Sequence, residues 1–172
     1  MKKNKVLDEI IRVNHAGEFG AQRIYSGQIK FTKDKKLKKT LQEIANQEEV
    51  HLKFFEEMMI QKRVRPTLMY PIWDIAGFSL GAITSVLGKD YVMACTEAVE
   101  SVIVDHYRNQ LDKISNLDEE KLKKNIEKFL KEEDDHREFG SENIENEDIK
   151  LTVFKNIIEN ITSLAIKVSQ KI

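Results

Sequence analysis

Residues 37–58, LKKTLQEIANQEEVHLKFFEEM, decide the fold. Leu37, Leu41, Ile44, Glu48, His51, Phe55 and Met58 recur at steps that alternate four and three residues, which is the period of one face of an α-helix. Such a face is apolar when it packs into a core, yet here a carboxylate and an imidazole interrupt it one turn apart. The same interruption recurs in Leu122, Ile126, Phe129, Glu133 and His136, with Asn116 or Asp118 placed to cap the start of that helix. Two further stripes carry one acid each. A helix over roughly residues 6–31 aligns Ile11, Asn14, Glu18, Ala21 and Tyr25, and one over roughly 90–113 aligns Met93, Glu100, Val104, Tyr107 and Leu111. A fifth stretch, Leu151 to Val168, offers Phe154, Ile157, Ile158, Ile161, Leu164 and Ala165 as a broad apolar face suited to packing on a bundle.

The composition agrees with helices. Seven Gly and two Pro are too few to punctuate a many-stranded sandwich or barrel. The 172 residues, 41% of them hydrophobic, make one domain over residues 1–172 the default and suffice for a real core. With 28 Lys and Arg against 29 Asp and Glu, the net charge of -1 gives no general case for binding nucleic acid. Cys95 is the single cysteine, so an intrachain disulfide, a zinc ribbon and an iron–sulfur cluster are all ruled out within one chain, and a reducing compartment is the simpler reading. The start, MKKNKVLDEI, runs into mixed polarity and lacks an apolar signal core, so export is not indicated.

Glu18, Glu48, His51, Glu100, Glu133 and His136 occupy positions where the period demands a core residue, and a buried carboxylate without compensation is strongly disfavoured. Their order repeats. A lone Glu is followed thirty residues on by Glu-x-x-His, and a second lone Glu is followed thirty-three on by another; equivalent members are offset by 82, 85 and 85 residues. At a spacing of i, i+3 the Glu and His of each motif reach a common centre. Four carboxylates are neutralised by two divalent ions, and mixed carboxylate and imidazole donors suit Fe or Mn better than Ca, Mg or a structural Zn. One Glu from each of two helices with Glu-x-x-His from two others is the donor arrangement of ferritin-like dimetal bundles. Glu97, one turn before Glu100 on the same face, stays open as a spare ligand, a supporting acid or a surface charge. Glu132 is within reach of His136, but its counterpart in the first half is Gln47, which makes Glu133 the better ligand.

The strings RVNHAGEFGAQRIYSGQ (12–28), QEEVHLKFFEEMM (47–59), VRPTLMYPIWDIAGFSLGAITSVLGKDYVMACTEAVE (64–100), DHYRNQ (105–110) and EEDDHREFG (132–140) resemble the demethoxyubiquinone hydroxylase family. The resemblance implies an all-α, ferritin-like four-helix bundle, with a long apolar crossover between core helices 2 and 3 and an additional C-terminal helix. It implies two Fe ions per chain, held by Glu18, Glu48, His51, Glu100, Glu133 and His136. It also implies insertion of one oxygen atom from O2 into a polyprenyl benzoquinone, a ubiquinone precursor. His106 and Tyr107 lie near the metal centre in that family, with His106 able to orient Glu18 or another ligand; an ordinary core aromatic is the other reading of Tyr107. Electrons come from NADH or a reductase, since no G-x-G-x-x-G fingerprint is present. Other ubiquinone-biosynthesis proteins are possible partners.

Residues 64–88 are the crossover. Between Pro66 and Leu87 only Asp74 is charged, and Pro and Gly interrupt the run too often for a comfortable spanning helix. A monotopic segment fits better, with Lys62, Arg63 and Arg65 before it and Tyr70 and Trp73 inside it suited to a membrane interface; a buried crossover is the other reading, and both can hold together. Interfacial contact implies a peripheral protein on the cytoplasmic face of a bacterial membrane, or on the matrix face of the inner membrane if mitochondrial. The alternative function is a ferritin-like ferroxidase or peroxide-handling protein without a quinone substrate; a rubrerythrin-type site is excluded by the single cysteine.

Overall fold

The computed structural model describes residues 5–172; Met1 to Asn4, part of the stretch that bears on export, lie outside the described residues. Six helices follow one another: α1 (Lys5–Phe31), α2 (Lys35–Lys62), α3 (Tyr70–Leu87), α4 (Lys89–Ile114), α5 (Glu120–Glu142) and α6 (Ile149–Lys171). No strand occurs among the described residues. This is the all-α complement of a ferritin-like helical bundle with an added C-terminal helix. The chain forms two compact units, one comprising the residues through Val92 together with Leu164–Ile172, the other Met93–Ser163.

In the first unit α1 packs against α2 and α3. The three-residue turn between α1 and α2 is fixed by Asp34, whose carboxylate accepts from Lys36 N at 2.7 Å and Leu37 N at 3.1 Å, satisfying helix N–H groups that have no partner within the helix. Those two bonds hold the Asp34 carboxyl below its usual range, with lesser help from Lys89 and Lys36. At the other end Arg63 adopts the left-handed conformation at φ 55° and closes α2. The core of the unit is Ile11, Tyr25, Leu41, Phe55 and Met58, all essentially without solvent contact.

The crossover is one continuous helix, α3, and its glycines do not break it. Pro71 stands in the first turn, where its missing N–H costs nothing. Gly81 faces the α1 backbone so closely that a methyl group there would collide with the Ile24 carbonyl and stand 2.9 Å from Gln28 N. Gly27 meets α3 in the same way from the α1 side. Small residues thus let two helix backbones touch. Asp74, the single charge of α3, is ion-paired with Arg23 of α1. The far side of α3 exposes Ile72, Ile75, Ile83, Val86 and Leu87. No described helix is long and apolar enough to cross a membrane.

In the second unit, α4 and α5 approach closely at Gly140, where an added Cβ would lie 2.8 Å from Glu97 N and 2.9 Å from Met93 O. The start of α5 departs from expectation. Neither Asn116 nor Asp118 caps it; the helix begins at Glu120 after Glu119, which makes no side-chain cap bond. The face of α6 also divides. Leu151 and Ile158 are buried, but Ile157, Ile161 and Leu164 are more than half exposed, because a helix packed on one side buries a narrower stripe than its full apolar arc.

Gly81→Ala is expected to force α1 and α3 apart and lower stability by about 1–3 kcal/mol, as other overpacking changes do. Thermal unfolding checks this; an unchanged melting temperature contradicts the close approach.

Candidate metal centre

Each unit gathers three donors of the same kind. In the first, Glu18 of α1 and Glu48 and His51 of α2 are 3%, 1% and 1% exposed, although each would be solvated on a surface helix. Their ligand atoms lie within 4.8 Å of one another. His51 Nδ1 stands 3.5 Å from Glu18 Oε2 and 3.9 Å from Glu48 Oε2. In the second unit Glu100 of α4 and Glu133 and His136 of α5 are equally buried, and their ligand atoms also fall within 4.8 Å of one another. His136 Nδ1 lies 3.2 Å from Glu133 Oε2. The i, i+3 step is what turns Glu and His of one helix to the same point.

The donor chemistry fits a metal. Each triad holds two carboxylates and one imidazole, so one divalent ion cancels its charge, and no thiolate competes. The burial of the donors themselves removes the water that would otherwise screen the carboxylates.

The two ambiguous acids are each ion-paired with a lysine. Glu97 is bound to Lys155 of α6 at 3.1 Å, and Glu147 is bound to the same ammonium at 2.5 Å. Partial burial opposes the charge on Lys155, but these two carboxylates outweigh it and raise its pKa. Glu97 therefore serves an ion pair on the α6 side of α4, while Glu100 is turned inward. Glu132 is paired with Lys128 at 3.5 Å and is partly exposed.

His106 is hydrogen-bonded on its own helix, with Gln110 Nε2 2.6 Å from its Nε2. Burial, with a smaller contribution from Lys113, pushes its pKa down to about 4, so the neutral ring accepts the Gln110 amide. Tyr107 is 1% exposed. His15 is buried, stacks on Tyr70 with centroids 6.1 Å apart, and is held below its ordinary pKa by burial against a weaker opposing effect of Glu56. Cys95 is fully buried, and desolvation reinforced by Glu100 pushes its thiol up to about 12.

The internal repeat runs further than the ligands. At the offset of 82 residues, Asn14 pairs with Thr96, Glu18 with Glu100, Tyr25 with Tyr107 and Gln28 with Gln110, and all eight are buried. Extending the offset beyond Glu18 and Glu100 would have singled out Gln28 and Gln110 from the sequence. Lys155 carried no such signal.

Comparison with known proteins bears on the same residues. The chain matches the family described as ubiquinone biosynthesis protein COQ7 over residues 5–169, which include both triads. It belongs to that family. A Rattus norvegicus protein named NADPH-dependent 3-demethoxyubiquinone 3-hydroxylase, mitochondrial, is 43% identical over 168 residues, 96% of this chain and 77% of that protein. The 3-demethoxyubiquinol 3-hydroxylase of Rhodospirillum rubrum is 40% identical over 168 residues, 97% and 79% of the two chains. A Dictyostelium discoideum protein with the same name as the rat one is 44% identical over 142 residues, 81% of this chain and 65% of that protein. For a COQ7-family chain, a buried pair of Glu, Glu and His triads is the feature to explain.

Two titrations follow from the burial of His106 and Cys95. The unfolded His106 ring takes a proton near 6.5 and the folded ring only near 4, so its contribution to stability is complete above 6.5 and is lost as pH falls toward 4. Its ring resonances are expected not to titrate between about pH 5.5 and 8. In the same range Cys95 is expected to resist thiol reagents until the chain is unfolded; rapid labelling of the folded protein contradicts its burial.

Proposed function

We propose that this chain is a di-iron monooxygenase that hydroxylates a polyprenyl demethoxy-benzoquinone, a ubiquinone precursor, with O2. Membership of the COQ7 family and the hydroxylase names of its relatives support the reaction, and favour it over iron storage or peroxide handling. The observation that carries the metal chemistry is the burial of two Glu, Glu and His triads, whose charge needs compensation.

In this reading Glu18, Glu48 and His51 hold one iron, Glu100, Glu133 and His136 hold the other, and both units act as one catalytic domain. When bound, the iron pair supplies the electrons and Lewis acidity that activate O2. The protein's part is to orient. The Glu and His of α2 and α5 are spaced by one helical turn on rigid helices, so the donors are held before the metal arrives. Phe55, Met58 and Phe129 exclude water from the reacting space. His106 and Tyr107 are supporting residues beside the ligands, with His106 kept neutral by burial. Electrons come from NADH, from NADPH as in the name of the rat relative, or from a partner reductase.

The substrate reaches the chain from a lipid bilayer through the 64–88 segment. Its exposed Ile72, Ile75, Ile83, Val86 and Leu87 suit acyl chains, and Lys62, Arg63 and Arg65 precede them where anionic headgroups would lie. That supports a peripheral position on the cytoplasmic face of a bacterial membrane or the matrix face of the inner mitochondrial membrane, within reach of other ubiquinone-biosynthesis proteins.

Anaerobic loading with Fe(II), then addition of O2 and a short-chain demethoxyquinol, is expected to yield a product heavier by one oxygen atom, with about two iron ions bound per chain. Glu48→Ala or His136→Ala should abolish the product and leave helix content intact; full activity in either removes that residue from the centre. Ile72→Glu with Ile75→Glu should reduce recovery with lipid vesicles while iron binding persists, and unchanged recovery argues against bilayer contact through α3.

A further inference from the structure

Gln28 is completely buried near the C-terminal end of α1, and both its amide oxygen and its amide nitrogen lack a hydrogen-bond partner among the described residues. A primary amide is seldom left so, because burial strips it of water on both sides. Its repeat mate shows what is missing. Gln110 is bonded to His106 four residues before it, whereas the residue four before Gln28 is Ile24, which has no polar group to offer.

The surroundings of Gln28 lead outward and inward along one helix face. Outward, its backbone carbonyl accepts from Thr32 N at 2.9 Å and from Ser85 Oγ at 2.8 Å, and Ser85 Oγ is 3.0 Å from Thr32 Oγ1. Thr32 and Ser85 line an open cavity of about 380 Å³ bordered also by Phe31, Asp34, Val86 and Lys89. Inward, steps of three and seven residues run from Gln28 through Tyr25 to Glu18, all buried on the same side of α1. Ten residues of helix span about 15 Å, too far for direct transfer and within reach of a short file of water.

Hydroxylation needs such a file. One oxygen atom enters a ring C–H bond and the other leaves as water. Each turnover therefore takes two electrons from a reduced nicotinamide or a reductase and two protons from solvent. The buried triads have apolar neighbours, so those protons need a polar route.

We propose that Gln28 is a positioning residue that holds water between the Thr32 and Ser85 cavity and the Glu18 end of α1, and so carries solvent protons toward the site of oxygen chemistry. The relay rests on the monooxygenase reading; the water itself does not. High-resolution diffraction on the metal-free full chain is expected to show water bonded to the Gln28 amide. Gln28→Leu should melt near the wild-type temperature, since leucine is of similar size and needs no hydrogen-bond partner, yet lower kcat about tenfold with KM unchanged and enlarge the solvent deuterium isotope effect. Should that variant fail to fold, Thr32→Val with Ser85→Ala tests the mouth of the route by the same isotope effect. No water at the amide overturns the proposal, as does a wild-type rate and isotope effect in Gln28→Leu or, where that variant does not fold, in the double variant. If the wild-type chain does not hydroxylate a quinol, the functional reading and the relay both fail, while the diffraction result still decides whether Gln28 holds water.

Discussion

Four carboxylates and two imidazoles are withdrawn from water in this chain, and most of its architecture answers to that. Burying an ionised carboxylate costs several kcal/mol unless an opposite charge lies beside it. Within the triads, Glu18 and Glu48 face His51, and Glu133 faces His136. A divalent cation for each triad is the compensation that this donor chemistry fits. Rigid helices are the economical way to present such donors, since i and i+3 side chains share a face without any loop to order.

The same need for dryness shapes α1 and α3. Their backbones touch at Gly27 and Gly81, and the one charge of α3, Asp74, is neutralised by Arg23, which also lies over the Phe78 ring at 5.2 Å. With its inner side committed to α1, α3 leaves an outer side that is apolar and exposed. That outer side is the surface on which the proposed contact with lipid rests. The Gln28 backbone stands at that close approach, and its side-chain amide is buried without a partner among the described residues.

Much of this was legible in residue order. Heptad-like steps around Glu48 and Glu133 mark helices and the turn-by-turn spacing of donors, because a helix converts sequence distance directly into direction. Glu97 and Glu100 could not be separated that way, being on one face a turn apart; Lys155, fifty-eight residues away, separates them by drawing Glu97 aside. The glycines of 64–88 read as interruptions, since a lone helix loses stability at Gly, yet they prove to be contact points where a second helix repays that loss. The apolar arc of α6 read as a broad face suited to packing on a bundle, and only one edge of it is buried.

Residue order by itself determined the helical class and singled out six candidate donors as a repeated set, both through local periodicity, while the resemblance to a quinone-hydroxylating family rests on longer matching strings. Tertiary structure decided which acids turn inward, how α3 lies on α1 and which amide is stranded without a partner. Those depend on what a distant segment places against each side chain, and periodicity along one helix holds no information about its neighbour.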